Sequence, residues 1–233
     1  MPEKKPLPTH LEFSQELKKA IYSFNIGPGT KVLQVGACCG VGGDPLYPLI
    51  GPHKRWVFWR VEPRIDMFDK LARLHNNDDH VLVHQAAVIP DDQEEGVITM
   101  WEYQQVDGLP PWTKGVASLT EEVPRRNNRW REQSKPDQVK TEIVPVEVLG
   151  QHFDSMCKEI RCFEPDVVIT DMEAHDRLVI LPSIKLAHKP KVVAYEHKVH
   201  GDEINRELET ALSQAGYELH FRGPEDVCWK LKG

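Results

Sequence analysis

The sequence contains no apolar run that approaches the roughly 20 residues needed for a membrane-spanning helix. Its first ten residues, MPEKKPLPTH, carry charge and proline but no apolar core of the kind found in a secretory signal. These absences predict that the chain neither spans a membrane nor enters the secretory pathway. We therefore expect a cytoplasmic protein.

Cysteine and positive charge are also limited. The five cysteines are an odd number without C-x-x-C spacing, so they predict neither a disulfide framework nor a zinc site. The formal net charge of -7 argues against a nucleic-acid surface that covers the whole molecule. This balance of charge favours small-molecule substrates. We expect no bound metal ion.

The strongest motif present is a strand followed by a glycine-rich turn and, after the next strand, a carboxylate. An apolar strand over 31–35 precedes the turn, and a second strand over 55–61 ends at Glu62. In parallel-sheet enzymes that hold a nucleoside, glycines let the backbone approach the ligand, and such a carboxylate accepts the ribose hydroxyls. The glycines do not fit G-x-G-x-x-G. They fit G-A-x-x-G, so a tight turn without a ligand is the alternative, and Glu62 favours the nucleoside cofactor.

Strands and helices alternate along the chain, which predicts an α/β fold with a mostly parallel sheet. A helix within residues 1–30 leads into the first strand, and residues 31–233 are expected to form one domain. The last two strands, YELHFR and DVCWKLK, are separated by Gly223-Pro224-Glu225 and predict a C-terminal antiparallel hairpin.

Acidic residues follow two later strands. Asp171 and Glu173 come after PDVVIT, and Glu196 and His197 end KVVAYEH. Because the carboxyl ends of parallel strands meet at one edge of a sheet, we expect these four side chains to lie near a ligand.

A long polar insertion over 104–140 separates two strands with alternating patterns. It contains Ser118 and a basic run that includes Arg125 and Arg126. Solvated disorder is one interpretation of such a segment. The other is a lid that closes over substrate, with arginines that meet anionic or hydroxyl-rich groups.

Together these motifs resemble the FkbM-type branch of the class I, S-adenosylmethionine-dependent methyltransferases, from about residue 31 to the C-terminus. The matching segments are QVGACCG at 34–40, Glu62-Pro63, Ala87-Val88, Ser118-Leu119, DMEAHDRLVIL at 171–181 and Glu196-His197. The resemblance implies a Rossmann-like methyltransferase fold with a single doubly wound, mostly parallel seven-stranded sheet. It also implies S-adenosylmethionine as cofactor, held by Gln34, Gly36, Ala37, Gly40, Glu62, Pro63, Ala86, Ala87 and Asp171.

Three positions depart from the family pattern. Gln34 replaces the acid of the first motif, Ala174 and His175 replace the glycine and alanine after Glu173, and Gly150 stands where an aspartate is usual. A glutamine still forms hydrogen bonds but carries no charge, so attraction for a positively charged cofactor is reduced.

The resemblance implies methyl transfer to a hydroxyl of a small or sugar-like acceptor, with Ser118, Arg125 and Arg126 near that acceptor. Such a reaction needs alignment and a base for the hydroxyl proton. His197 is the first candidate base and His175 the second; Asp171, Glu173 and Glu196 complete the candidate catalytic set.

Other interpretations stay open. Asp171 and Glu173 could form an oxygen-rich metal site together with His197, His200 and Asp202. The fold could also serve a non-catalytic binding protein, which Gln34 favours, or a nucleotide or nucleic-acid methyltransferase, which the run from Arg125 to Arg131 favours.

Overall fold

A computed structural model describes residues 10–24, 26–134 and 141–233. The start of the predicted N-terminal lead-in and the end of the predicted insertion, residues 135–140, lie outside these ranges. No helix in the described ranges combines the length and apolar character that crossing a membrane requires.

The main sheet has seven strands in the order β10-β11-β9-β8-β1-β2-β3. Five of them run parallel, and β10 and β11 form an antiparallel hairpin that joins the sheet through β9. These strands are β1 (Lys31–Val35), β2 (Val57–Val61), β3 (Val81–His84), β8 (Val167–Thr170), β9 (Val192–Glu196), β10 (Tyr217–Arg222) and β11 (Asp226–Leu231). The predicted α/β fold, a doubly wound, mostly parallel seven-stranded sheet with a C-terminal antiparallel hairpin, is confirmed.

Helices cover both faces of this sheet, so its central strands are buried on both faces and mostly apolar. The helices are α1 (His10–Tyr22), α2 (Tyr47–Ile50), α3 (Ile65–Leu74), α4 (Glu122–Ser134), α5 (Phe153–Glu159), α6 (Arg177–Ser183) and α7 (Asp202–Gln214). In α1, Phe13, Leu17 and Ile21 recur at helical spacing and pack in the same apolar cluster as β1 and β2. The N-terminal helix therefore shares the core of the sheet that it precedes.

A second, four-stranded sheet has the order β4-β7-β5-β6. Its members are β4 (Ala87–Val88), β5 (Gly96–Tyr103), β6 (Ala117–Ser118) and β7 (Ile143–Gln151). The long strands β5 and β7 pair antiparallel from Gly96 and Gly150 to Tyr103 and Ile143.

The insertion over 104–140 contains regular structure in its described part, so a structureless loop is the wrong description. It forms a 3₁₀ helix over Pro111–Lys114, the strand β6 and the helix α4. The alternating apolar and polar residues of β5 and β7 are visible in the sequence. The pairing of β5 with β7, and with β6 of the insertion, joins residues that are distant along the chain.

Candidate functional site

A cleft of about 1100 Å³ opens at the carboxyl edge of the main sheet, where open α/β proteins bind ligands. Its walls come from the turn after β1, the ends of β2, β8 and β9, and the insertion. Among the lining residues are the expected Gln34, Gly36, Ala37, Glu62, Pro63, Ala86, Ala87, Asp171, Glu173, His175, Glu196 and Arg126.

The glycine turn is required by contacts within the protein itself. Gly36 has φ +84°, and a Cβ there would lie 1.9 Å from the backbone oxygen of Asp171. At Gly40, also with positive φ, a Cβ would lie 2.5 Å from Leu71 and 2.8 Å from the guanidinium of Arg60. The sequence interpretation assigned these glycines to close approach of a ligand. The structure adds a second reason for them, the close approach of a neighbouring strand end at Gly36 and of buried side chains at Gly40.

Glu62 lies at the end of β2 and is only 5% exposed. One carboxylate oxygen accepts the backbone N–H of Cys38 at 2.8 Å, and the other accepts that of Arg64 at 3.1 Å. Burial raises the pKa of Glu62 to about 7, although these two hydrogen bonds oppose the shift. The carboxylate is thus fixed against the glycine turn and keeps further lone pairs for a ligand in the cleft.

Gln34 lines the cleft, but both ends of its amide are engaged. Its oxygen accepts from Arg60 Nε at 2.9 Å, and its nitrogen donates to Asp44 Oδ1 at 3.2 Å. Arg60 also pairs with Asp44. Neither Arg60 nor Asp44 was singled out in the sequence, although an arginine inside the apolar strand VFWRV was a visible signal.

Three carboxylates converge on the opposite wall. Oxygens of Asp171, Glu173 and Glu196 lie within 4.8 Å of one another. Asp171 is exposed to the cleft, yet limited hydration between the walls, with the charge of Asp176 added, raises its pKa to about 7. The pKa values of Glu173 and Glu196 are also raised, first by burial and then by neighbouring carboxylates. This wall can accept a proton from a bound hydroxyl, and its three oxygens are ligands that a divalent cation accepts.

Asp176, which sequence reasoning missed as a separate contributor, lies beneath this cluster. It is fully buried, and its Oδ2 is 2.7 Å from Nε2 of the equally buried His200. The other oxygen, Oδ1, accepts the backbone N–H of Met172 at 3.3 Å. Of the residues in the alternative metal set, His200 is therefore committed to Asp176.

His175 and Ser118 link the insertion to the acidic loop. Ser118 donates its hydroxyl proton to the carbonyl of Glu173 at 3.1 Å, so it accepts from His175 Nε2 at 3.2 Å. Burial lowers the pKa of His175 to about 4, which leaves a neutral imidazole at pH 7. Ser118 is fully buried and orients the loop, while His175 lines the cleft.

His197 is not among the residues that line the cleft. Its Nε2 donates to the carbonyl of Gly223 at 3.0 Å, and its backbone N–H donates to the carbonyl of Glu225 at 2.7 Å. Both bonds join the end of β9 to the turn of the C-terminal hairpin. The structure brings Asp171, Glu173 and Glu196 together and directs His197 away from them.

The two arginines expected near the acceptor have different positions. Arg126 lines the cleft and donates to the carbonyl of Val199 at 2.5 Å. Arg125 forms an ion pair with Glu121 and lines a separate groove of about 540 Å³. Gly40 packs below the turn and is not among the residues that line the cleft.

No family model and no curated protein matches the sequence. Among solved structures, methyltransferase FkbM of Methylobacillus flagellatus KT is 16% identical with a TM-score of 0.49; the alignment covers 87% of this chain and 43% of that one. This chain thus spans less than half the length of that protein.

For two further solved structures, the alignment covers most of both chains. Fibrillarin of Aeropyrum pernix, with natively bound S-adenosyl-L-methionine, is 10% identical with a TM-score of 0.44; the alignment covers 93% of this chain and 76% of that one. Precorrin-6y C5,15-methyltransferase of Geobacter metallireducens GS-15 is 10% identical with a TM-score of 0.45, covering 98% and 92%. The strand order of the main sheet, with its C-terminal antiparallel hairpin, is by itself that of a doubly wound, Rossmann-like α/β fold.

Proposed function

We propose that this protein is an S-adenosylmethionine-dependent methyltransferase that acts on a hydroxyl of a small or sugar-like acceptor in the cytoplasm. The observation that carries the proposal is the position of Glu62. Its carboxylate is fixed by two backbone N–H groups at the end of β2, and it lines the same cleft as the glycine turn. A buried acceptor beside backbone that comes close to a ligand suits a nucleoside ribose.

The opposite wall of the cleft supports transfer to a hydroxyl. The cofactor would supply an activated methyl group on a sulfonium, so the chain has to align the acceptor and take up its proton. A pKa of about 7 for Asp171 suits a general base near neutral pH. His175 is held neutral and bonded to Ser118, and His197 is bonded to Gly223, so the acidic wall is the better source of a base.

The contacts on α4 favour a small acceptor over a nucleic acid. Arg125 pairs with Glu121, the residue before α4, and Arg129 pairs with Glu122 at its start, so both charges are already compensated next to the helix. Arg126, by contrast, lines the cleft, where it can contact an acceptor directly.

Calorimetric titration with S-adenosylhomocysteine tests the proposal. We expect the protein to bind it, and we expect Glu62→Gln to weaken binding by roughly tenfold or more, because a charged hydrogen bond to ribose contributes about 1.5–3 kcal/mol. Glu147→Gln, at an exposed position of β7, is the control and should bind like the unaltered protein. Absence of binding by the unaltered protein would refute the cofactor assignment and favour a scaffold role; equal affinity in Glu62→Gln would remove the ribose role.

A further inference from the structure

A buried ion pair between Arg60 and Asp44 lies beside the glycine turn, at the wall of the cleft. Neither residue belongs to the cofactor motifs of the sequence. The Arg60 side chain is fully buried, the Asp44 side chain is 4% exposed, and Arg60 Nη2 contacts Asp44 Oδ2. Gln34 bridges the pair, accepting from Arg60 and donating to Asp44. A buried guanidinium is strongly unfavourable unless a carboxylate compensates its charge, so Asp44 is required by Arg60.

Asp44 also fixes the end of the glycine turn. Its Oδ1 accepts the backbone N–H of Leu46 at 2.8 Å, which holds the segment that leads into α2. At the other end of the turn, the N–H of Gly36 donates to the carbonyl of Val61 at 2.9 Å. Both ends of the turn are therefore attached to β2, through the backbone at Gly36 and through Arg60 at Asp44.

The remaining partner of Arg60 adds no negative charge next to it. Arg60 donates from Nη1 to His75 Nε2 at 2.8 Å, and His75 Nδ1 lies 2.9 Å from Asp78. Because a guanidinium only donates, His75 accepts from Arg60 and donates to Asp78, as a neutral imidazole does. Within the described part of the chain, Asp44 is the carboxylate that forms an ion pair with Arg60.

We propose that Asp44 is a positioning residue of the cofactor subsite and supplies the carboxylate that the first motif lacks at Gln34. The proposal rests on the function proposed above. Asp44 neutralises Arg60 and fixes the glycine turn on a wall that also contains Glu62. Without this carboxylate, the positive charge of Arg60 would stand uncompensated near a cofactor that carries a sulfonium. Binding of S-adenosylmethionine should then suffer more than binding of S-adenosylhomocysteine, a thioether without that charge.

Calorimetric titration of both compounds into Asp44→Asn, an isosteric change, tests this role. We expect affinity for S-adenosylhomocysteine to fall about tenfold and affinity for S-adenosylmethionine to fall further, as expected when a buried charge loses its partner. The control is Asp78→Asn, at the partly exposed end of the same network, which should leave both affinities within about twofold. An Asp44→Asn protein that binds both compounds like the unaltered protein overturns the proposal.

Two double variants keep the test decisive if Asp44→Asn fails to fold. Gln34→Glu with Asp44→Asn moves the carboxylate to position 34 and keeps Arg60 paired, and it should bind both compounds within about threefold of the unaltered protein. Arg60→Met with Asp44→Asn removes both charges; it should bind about tenfold more weakly, but with the original preference between the two compounds restored. Equal affinity in these two double variants overturns the proposal. Failure of the unaltered protein to bind either compound refutes the proposed function instead.

Discussion

Single residues in the cleft have their identity fixed by contacts across the sheet. Gly36 is the clearest example, since it allows the end of β8 to approach the end of β1. The carbonyl of Asp171 occupies the space that a side chain at position 36 would need, so the glycine turn and the acidic wall depend on each other. A substitution in the glycine turn should therefore displace Asp171, the candidate base.

Gly36→Ala should destabilise the protein strongly. The new Cβ would clash with the Asp171 backbone oxygen, and alanine at φ +84° adds about 1–2 kcal/mol of strain. Gly43→Ala is the matched control, because Gly43 has φ +77° but nothing within 4 Å of an added Cβ. Urea unfolding should show a loss of about 1–2 kcal/mol for the control, from backbone strain alone, and clearly more for Gly36→Ala. Equal losses would contradict the contact with Asp171.

Two single substitutions distinguish Asp171 from His197 as the base that takes the acceptor proton. We expect Asp171→Asn to slow methyl transfer by a factor on the order of 10²–10⁴, because it removes the carboxylate best placed to take a proton. His197→Gln, whose side chain can still donate to Gly223, should retain the rate. The rates of both variants are measured as single-turnover methyl transfer to an identified acceptor at saturating cofactor. A slow His197→Gln enzyme with intact cofactor binding would restore histidine as the base.

At the scale of elements, the insertion is joined to the main sheet by a small number of contacts. Ser118 in β6 contacts the Glu173 carbonyl, and Arg126 in α4 contacts the Val199 carbonyl. In addition, Arg64, at the start of α3, donates to the carbonyl of Lys114 in the 3₁₀ helix of the insertion. These contacts give the described part of the insertion a defined position over the cleft.

Arg126→Met should loosen α4 from the loop after β9. Amide hydrogen exchange in α4 should become faster, because the variant loses the hydrogen bond between this helix and a distant loop. Arg125→Met changes the adjacent residue, which pairs with Glu121 at the start of the same segment, and should leave exchange nearly unaltered. If both variants exchange alike, the contact with Val199 does not hold the helix.

At the scale of the whole molecule, the acidic cleft couples stability to pH. Asp171 has a pKa raised to about 7, against an ordinary value near 4 in an unfolded chain. Its stabilising contribution is present below about pH 4 and is lost as the pH rises through about 7, because ionisation then favours the unfolded chain. His175 acts oppositely: its pKa is lowered to about 4, so stability is lost as the pH falls from about 6.5 towards 4.

Comparison of Asp171→Asn with the unaltered protein isolates the carboxylate from these opposing groups. The variant has no charge at position 171, so its stability relative to the unaltered protein should increase between about pH 4 and pH 8. Urea unfolding without ligand at pH 5 and pH 8 measures the change, and Asp91→Asn, at an exposed position, provides the control. The same difference at both pH values would show that Asp171 ionises as it does in water.

Local sequence patterns were enough to predict the sheet, the hairpin and the edge where the cleft lies. Apolar strands that alternate with amphipathic helices bury their side chains best as a parallel sheet covered by helices on both faces. Acids that follow the strands of such a sheet meet at its carboxyl edge. Three features could be seen only in the folded molecule: the hydrogen bond of His197 to Gly223, the pairing of Asp44 with Arg60 and the ordered form of the insertion. Each feature depends on a partner distant along the chain: Gly223 for His197, Arg60 of β2 for Asp44, and Val199 for the helix α4 of the insertion. The spacing of residues within a short segment cannot predict such contacts.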